Sequence, residues 1–271
     1  MKKLLYVIYA LLILAATSFL IYDIFWAKNF DSNSITKYVI LVAGFVLSMV
    51  KLSVRPHREV LQKKKVYQSA YAEFIRSAFS NDKQLESQLF SAIHDYNQEK
   101  SDLAVKKLEK LRNECHNSDD IYAVTCFTAL CLDDLGIYEA AARQYKAALN
   151  LYPNTTLASN LGICLERLGD QQGAIDAYHY ASQIDPKNAY PHNNLAQLYV
   201  RTGEYESAID SAKLAVAMNS KMYQAYSALA ISYAMLGDMD AYEKYYRQAV
   251  ANGSDGRKIK AFIKALDPSI N

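Results

Sequence analysis

The stretch NLGICLERLGDQQGAIDAYHYASQIDP, residues 160–186, decides the fold of this 271-residue chain because its pattern returns along the sequence. Its glycine at position 169 has counterparts at positions 136, 203 and 237. An alanine stands twelve positions after each glycine, and further columns of small or apolar residues agree over the four copies. Self-similarity at such a fixed period indicates a repeat array. The residues predicted to pack within the repeats are Gly136, Gly169, Gly203, Gly237, Ala148, Ala181, Ala215 and Ala249.

The chain is predicted to be helical from Val66 onward, because its apolar residues recur at helical spacing. A glycine that returns at a fixed period is typical of helix ends, where a left-handed cap conformation is often needed. Pro153 and Pro186 are expected to lie at helix ends, because proline cannot continue a helix. The chain has only 9 glycines and 5 prolines, which disfavours a many-stranded β fold.

This pattern resembles the tetratricopeptide repeat, a helix–turn–helix unit with a period of about 34 residues. The resemblance rests on Asn160-Leu161-Gly162, Leu168-Gly169-Asp170, Ala174-Ile175 and Asp185-Pro186. It implies an all-α solenoid with four repeats over residues 122–252. Residues 85–120 are predicted to be a degenerate repeat, and residues 253–271 a capping helix (Arg257 to Leu266) and tail. Tyr242 stands where the other copies have alanine, which predicts altered packing near the end of the array.

Residues 1–54 are predicted to form a membrane hairpin. Residues 4–22 carry no charge and are long enough for a bilayer core of about 30 Å. Residues 35–54 form a second apolar run, whose Lys37 and Lys51 lie near its ends, where lysine side chains can reach the interface. Residues 55–82 are predicted to be a basic juxtamembrane segment followed by an amphipathic helix that ends near Ser80-Asn81. The predicted fold class is therefore two transmembrane helices followed by a tetratricopeptide-like α-solenoid.

Charge distribution predicts the orientation of this hairpin. Residues 51–65 sum to +5 and residues 23–37 sum to zero, and positive flanks stay on the cytoplasmic side. Both termini and the repeats are therefore expected in the cytoplasm, at a plasma membrane that is expected to be bacterial. Residues 66–271 hold 20 basic and 25 acidic side chains, which argues against nucleic acid as a partner.

The resemblance implies that the first helix of each repeat lines a concave surface, which binds a peptide or a helix of a partner protein. Asn160 and Asn194 occupy equivalent positions, and their amides can bind an extended backbone. Arg167 and Arg201 are also equivalent and suit an acidic peptide, although two solvated arginines on a helix edge remain the alternative. Asparagine is also common at this position for packing reasons. The full predicted groove comprises Asn160, Asn194, Arg167, Arg201, Tyr190, Asn193 and Gln197.

The sequence contains none of the common phosphate-binding, zinc-protease or serine-hydrolase motifs. Its four cysteines form no CxxC pair, so we expect no metal, no cofactor and no enzyme activity. The predicted function is a membrane-anchored adaptor or scaffold that binds a protein or peptide partner, and self-association is left open. One alternative is a structural subunit whose hairpin packs with other membrane proteins, and another is an accessory subunit of an enzyme.

Overall fold

The computed structural model describes residues 64–268, in which all regular structure is helical. The chain divides into two units, Met1–Ala70 and Tyr71–Asn271. Of the first unit, residues 64–70 are described, and they are helical, with the Ser69 hydroxyl donating to the Val66 carbonyl at 2.9 Å. The described helices of the second unit are α1 (Ala72–Ile75), α2 (Lys83–Tyr96), α3 (Ser101–Arg112), α4 (Ser118–Asp134), α5 (Tyr138–Leu151), α6 (Thr155–Arg167), α7 (Gln171–Ile184), α8 (Ala189–Thr202), α9 (Tyr205–Met218), α10 (Tyr223–Met235), α11 (Met239–Ala251) and α12 (Gly256–Leu266).

Between residues 64 and 268, no helix combines the length and the apolar character that a membrane crossing needs. The two predicted spans, residues 4–22 and 35–54, lie outside the described residues. The domain boundaries derived from the sequence also stay predictions.

The helices of the second unit pack as successive helix–turn–helix pairs. Helices α4 to α11 form four such pairs, and each pair also packs against the next. Helices α2 and α3 form a further pair before them, and α12 packs against α10 and α11. The predicted all-α solenoid is confirmed over the described residues.

The turn inside each of the four pairs has one geometry. Gly136, Gly169, Gly203 and Gly237 have φ between +72° and +81°, the left-handed region in which a side chain is strained. After Gly169, the Asp170 N–H donates to the Leu165 carbonyl at 2.9 Å, which satisfies an otherwise free carbonyl at the helix end. The Asp170 carboxylate then accepts from the Gly173 N–H at 2.9 Å and caps α7.

Small residues let the paired helices approach closely. The alanines twelve positions after the repeat glycines are fully buried. The residues seven positions before the glycines are also fully buried in three repeats, namely Ala129, Ala196 and Ala230. In the second repeat that position is Gly162, against which the ring of Tyr178 packs. In the last repeat, Tyr242 stands in the alanine column and is only half-buried, and Ala249 is the one buried residue of α11.

The continuous amphipathic helix predicted up to Ser80-Asn81 is not formed. The helix over residues 64–70 is interrupted at Tyr71, α1 ends at Ile75, and Phe79 has a φ of +52°. Tertiary hydrogen bonds replace the helical ones here. The Phe79 N–H donates to the buried Asp120 carboxylate at 2.7 Å, and the Ser77 hydroxyl donates to Asp119.

Candidate functional site

The first helices of the second to fourth repeats, together with α12, line two adjacent cavities, which we call the groove. The polar subsite lies between α6 and α8 and has a volume of about 410 Å³; its lining residues are Ile163, Glu166, Arg167, Tyr178, Asn194, Gln197 and Arg201. The apolar subsite lies between α8, α10 and α12 and has a volume of about 280 Å³; its lining residues are Gln197, Val200, Arg201, Tyr223, Gln224, Ser227, Ala228, Ile231, Ser254, Lys258, Ile259 and Phe262. Gln197 and Arg201 line both cavities, so the two subsites are contiguous.

Glu166 is the centre of the polar subsite. One of its carboxylate oxygens accepts from the buried Tyr178 hydroxyl, and the other pairs with the Arg201 guanidinium. Burial and this carboxylate together raise the pKa of Tyr178, which therefore stays a hydrogen-bond donor at neutral pH. Arg167 is exposed and has no ion-pair partner among residues 64–268.

The first repeat contains the same tyrosine–carboxylate hydrogen bond at the equivalent positions. Buried Tyr145 donates from its hydroxyl to Asp133 at 3.2 Å. Burial and Asp133 raise the pKa of Tyr145, whereas an interaction with Asn160 acts in the opposite direction. Sequence reasoning missed these tyrosine–carboxylate pairs, although both tyrosines stand nine positions after a repeat glycine and this register could have revealed them.

Four of the predicted groove residues meet in the polar subsite, namely Arg167, Asn194, Gln197 and Arg201. Asn160 is half-buried beside Tyr145, one repeat earlier. Tyr190 is 62% exposed and lines neither subsite.

The placement predicted for Asn193 is wrong, because this residue is buried and only 5% exposed. Successive residues of an α-helix are rotated by about 100°, so Asn193 faces inward while Asn194 faces the polar subsite. The Asn193 Oδ1 atom has no hydrogen-bond partner within the described chain. Arg167 and Arg201 were both expected to face an acidic ligand. Both line the polar subsite, but Arg201 is already paired with Glu166.

At the first repeat, the chain itself covers the position that corresponds to Asn160 and Asn194. That position is Phe127, which is fully buried. The rings of Tyr71 and Phe74 pack edge-on against it, with centroids 5.2 Å and 6.2 Å away. Among residues 64–268, the groove is therefore open only from the second repeat onward.

Arg76 also holds residues 71–79, the segment that covers Phe127, against the first repeat. Its guanidinium carbon lies 4.1 Å from the ring centroid of Tyr152 and 5.4 Å from that of Tyr122, which is cation–π distance. The Asn154 amide donates to Glu73 at 3.2 Å. Residues 71–79 are thus part of the folded solenoid.

Residues 64–268 contain no group of three or more metal-ligating side chains. Burial raises the pKa of the Cys131 and Cys164 thiols to about 12 and that of Cys115 to about 11. These thiols are therefore protonated at neutral pH, and a thiol is a poor nucleophile and metal ligand compared with a thiolate.

Two overlapping family models match the chain. The model described as TPR repeat matches residues 167–203, and the model described as tetratricopeptide repeat matches residues 193–257. A TPR repeat-containing protein of Methanocaldococcus jannaschii is 29% identical over 98 residues, which are 36% of this chain and 17% of that protein. The match therefore spans about a sixth of this curated relative.

Solved structures share the fold. MamA from Desulfovibrio magneticus RS-1 superposes with a TM-score of 0.55 at 15% identity, covering 63% of this chain and 95% of that chain. YrrB, described as a TPR protein with an unusual peptide-binding site, superposes with a TM-score of 0.56 at 13% identity, covering 69% of this chain and 95% of that chain. Within the helical solenoid, residues 167–257 thus contain tetratricopeptide repeats.

Proposed function

We propose that the solenoid is a protein-interaction module that binds an extended segment of a partner protein in the groove. The observation that carries this proposal is the meeting of Arg167, Asn194, Gln197 and Arg201 in one cavity that continues into an apolar cavity. Ligand-binding pockets typically combine an apolar lining with a few convergent polar groups. YrrB, which shares the fold, is itself described as having a peptide-binding site.

The groups in the groove suit a peptide backbone. The amides of Asn194 and Gln197 each offer donors and an acceptor, which an extended backbone can satisfy from both its C=O and N–H groups. Gln197 lies at the junction of the two subsites, so a ligand that crosses from one to the other passes over it. Arg167 lacks an ion-pair partner in the described chain and is available to a ligand carboxylate.

Site-specific photo-crosslinking tests this proposal in native membranes of the source cells. A photoreactive amino acid at Gln197 is expected to yield a defined adduct with a partner protein. The matched control replaces Arg143, which is exposed on α5 and lines neither subsite. Joint substitution of Asn160, Asn194, Arg167 and Arg201 by alanine should abolish the Gln197 adduct. An adduct of equal yield from both positions, or one that survives the joint substitution, would contradict the proposal.

We also propose that residues 1–54 anchor this module to a bacterial plasma membrane, with both termini and the repeats in the cytoplasm. The support comes from the sequence alone: two apolar runs, 4–22 and 35–54, followed by a flank of +5. A protease added to intact spheroplasts should leave the repeats undigested and should digest them after lysis. Digestion in intact spheroplasts would place the repeats outside and refute this topology.

A further inference from the structure

We propose that the groove selects a peptide segment that carries one acidic side chain and one bulky apolar side chain about three residues apart. This inference rests on the proposed function, because it assigns a ligand chemistry to the same groove. It follows from the charge of the polar subsite, the lining of the apolar subsite and the way in which the two adjoin.

The groove has an excess of positive charge. Arg167 and Arg201 line the polar subsite together with one carboxylate, Glu166. The Arg201 ion pair already neutralises that carboxylate, so the charge of Arg167 remains uncompensated. Lys258 from α12 adds a further cation at the rim of the apolar subsite, and no ion pair of residues 64–268 includes it. An acidic side chain is therefore complementary to the groove, whereas a basic one would be repelled.

The apolar subsite suits a single large side chain. Its walls include Val200, Ala228, Ile231 and Ile259, and Phe262 lies at its opening with 38% of its surface exposed. The cavity of about 280 Å³ lies just below the range of about 300–1,000 Å³ that is typical of drug-sized ligands. Burial of a leucine or phenylalanine side chain here would strengthen binding at least about tenfold.

The spacing of the two ligand side chains follows from the helices that build the subsites. The polar subsite lies between α6 and α8, and the apolar subsite lies between α8 and α10; Gln197 and Arg201 of α8 line both. Packed helices lie about 8–10 Å apart, so the centres of the two subsites are separated by about this distance. A peptide in the extended polyproline II conformation advances about 3.1 Å per residue with three residues per turn, so side chains three residues apart lie on one face and about 9 Å from each other. The ligand is thus a short extended segment, not a whole folded surface.

The probe is a fluorescent decapeptide of serine, threonine and glycine that carries one aspartate and one leucine three residues apart. Its binding to the full chain in detergent micelles is measured by fluorescence anisotropy. Replacement of the aspartate by asparagine should weaken binding about fivefold, the effect of one exposed ion pair at the upper end of its range. Replacement of the leucine by serine should weaken binding about tenfold, as expected for loss of apolar burial.

Substitutions in the protein identify which subsite binds the acidic side chain and which binds the apolar side chain of the peptide. Arg167→Glu should weaken the aspartate peptide about fivefold and favour a peptide with lysine in its place. Arg143→Glu is the matched control and should leave both affinities unchanged. Phe262→Ser should weaken binding of the leucine peptide and leave the serine peptide unaffected. Leu266→Ser, on the same helix and also 38% exposed but outside the apolar subsite, is its control.

The outcomes separate this inference from the proposed function. The expected pattern of both peptide and protein substitutions supports the inference. Random decapeptides that bind tightly without an acidic or a bulky apolar residue, and that lose binding on Asn194→Ala, overturn the inference and leave the proposed function standing. If no decapeptide from a random library binds, or if Asn194→Ala and Arg167→Glu leave all binding unchanged, the proposed function fails and the inference fails with it.

Discussion

Substitution of Gly162 by alanine tests the packing that joins the two helices of the second repeat. A Cβ atom at this position of α6 would stand 2.7 Å from the Cδ1 and Cζ atoms of Tyr178, far inside a normal contact distance. The Tyr178 ring is fully buried, and its hydroxyl bonds Glu166. Movement of the ring away from the new methyl group would therefore disturb that hydrogen bond.

Two opposing effects determine the magnitude. Alanine is favoured over glycine inside a helix by about 1 kcal/mol. Overpacking of a close-packed site costs about 1–3 kcal/mol. The first repeat has Ala129 opposite Tyr145 at the equivalent positions, so a tyrosine ring can be accommodated beside a methyl group when neighbouring atoms shift. We therefore expect Gly162→Ala to lower the free energy of unfolding by about 1 kcal/mol.

The full chain in detergent is unfolded with urea, and unfolding is monitored by circular dichroism. The unfolding midpoints of the variant and the parent chain are compared at constant m-value. The matched background is Tyr178→Ala, which reproduces the Ala212 found at this position in the third repeat. Without the ring, Gly162→Ala should raise stability by about 1 kcal/mol, so the effect changes sign. A gain of similar size in the presence of Tyr178 would refute the reasoning, because it would mean that the ring and the Cβ do not compete for space.

Three further predictions concern other parts of the solenoid. Gly203→Ala, at a φ of +81° with no atom within 4 Å of the new Cβ, should cost about 1 kcal/mol through backbone strain alone, and Gly203→Asn should cost less in the same urea assay. Hydrogen bonds from Ser77 and Tyr152 hold the pKa of the Asp119 carboxyl below its usual value. The stabilising contribution of this carboxylate is therefore present at neutral pH and is lost as the pH falls below about 4. A pH titration of the unfolding midpoint should show this loss, and the Asp119→Asn variant should not show it. The Cys131 thiol, with a pKa of about 12, should react with an alkylating reagent at mildly alkaline pH only after unfolding, and rapid labelling of the native chain would contradict its burial.

The repeat architecture could be predicted from the sequence because it depends on local chemistry. The regular return of one glycine marks each turn, and a glycine there meets a backbone requirement that alanine cannot meet without strain. The alanine columns likewise report close helix contacts, which leave no room for larger side chains. Both signals are written within a single repeat and return in each copy.

The candidate site could be predicted only in part. The predicted groove residues Arg167, Asn194, Gln197 and Arg201 line one subsite, of which Asn194 and the two arginines were chosen from equivalent repeat positions. Asn193 was predicted for the same groove wall but is buried, because adjacent residues on a helix face different surroundings. The role of Glu166 as acceptor for Arg201 and Tyr178 also escaped prediction, because its partners come from two other helices.

By itself the sequence determined the helical repeats, their glycine turns and the small residues between paired helices. Only the tertiary structure decided how residues 71–79 leave the predicted helix to cover Phe127, and how α12 joins α8 and α10 to form the apolar subsite. The physical reason is the range of the interactions. A turn or a helix depends on neighbours a few residues away, whereas the Phe79–Asp120 hydrogen bond and the Arg201–Glu166 ion pair join residues 41 and 35 positions apart. Such contacts arise only when the repeats stack.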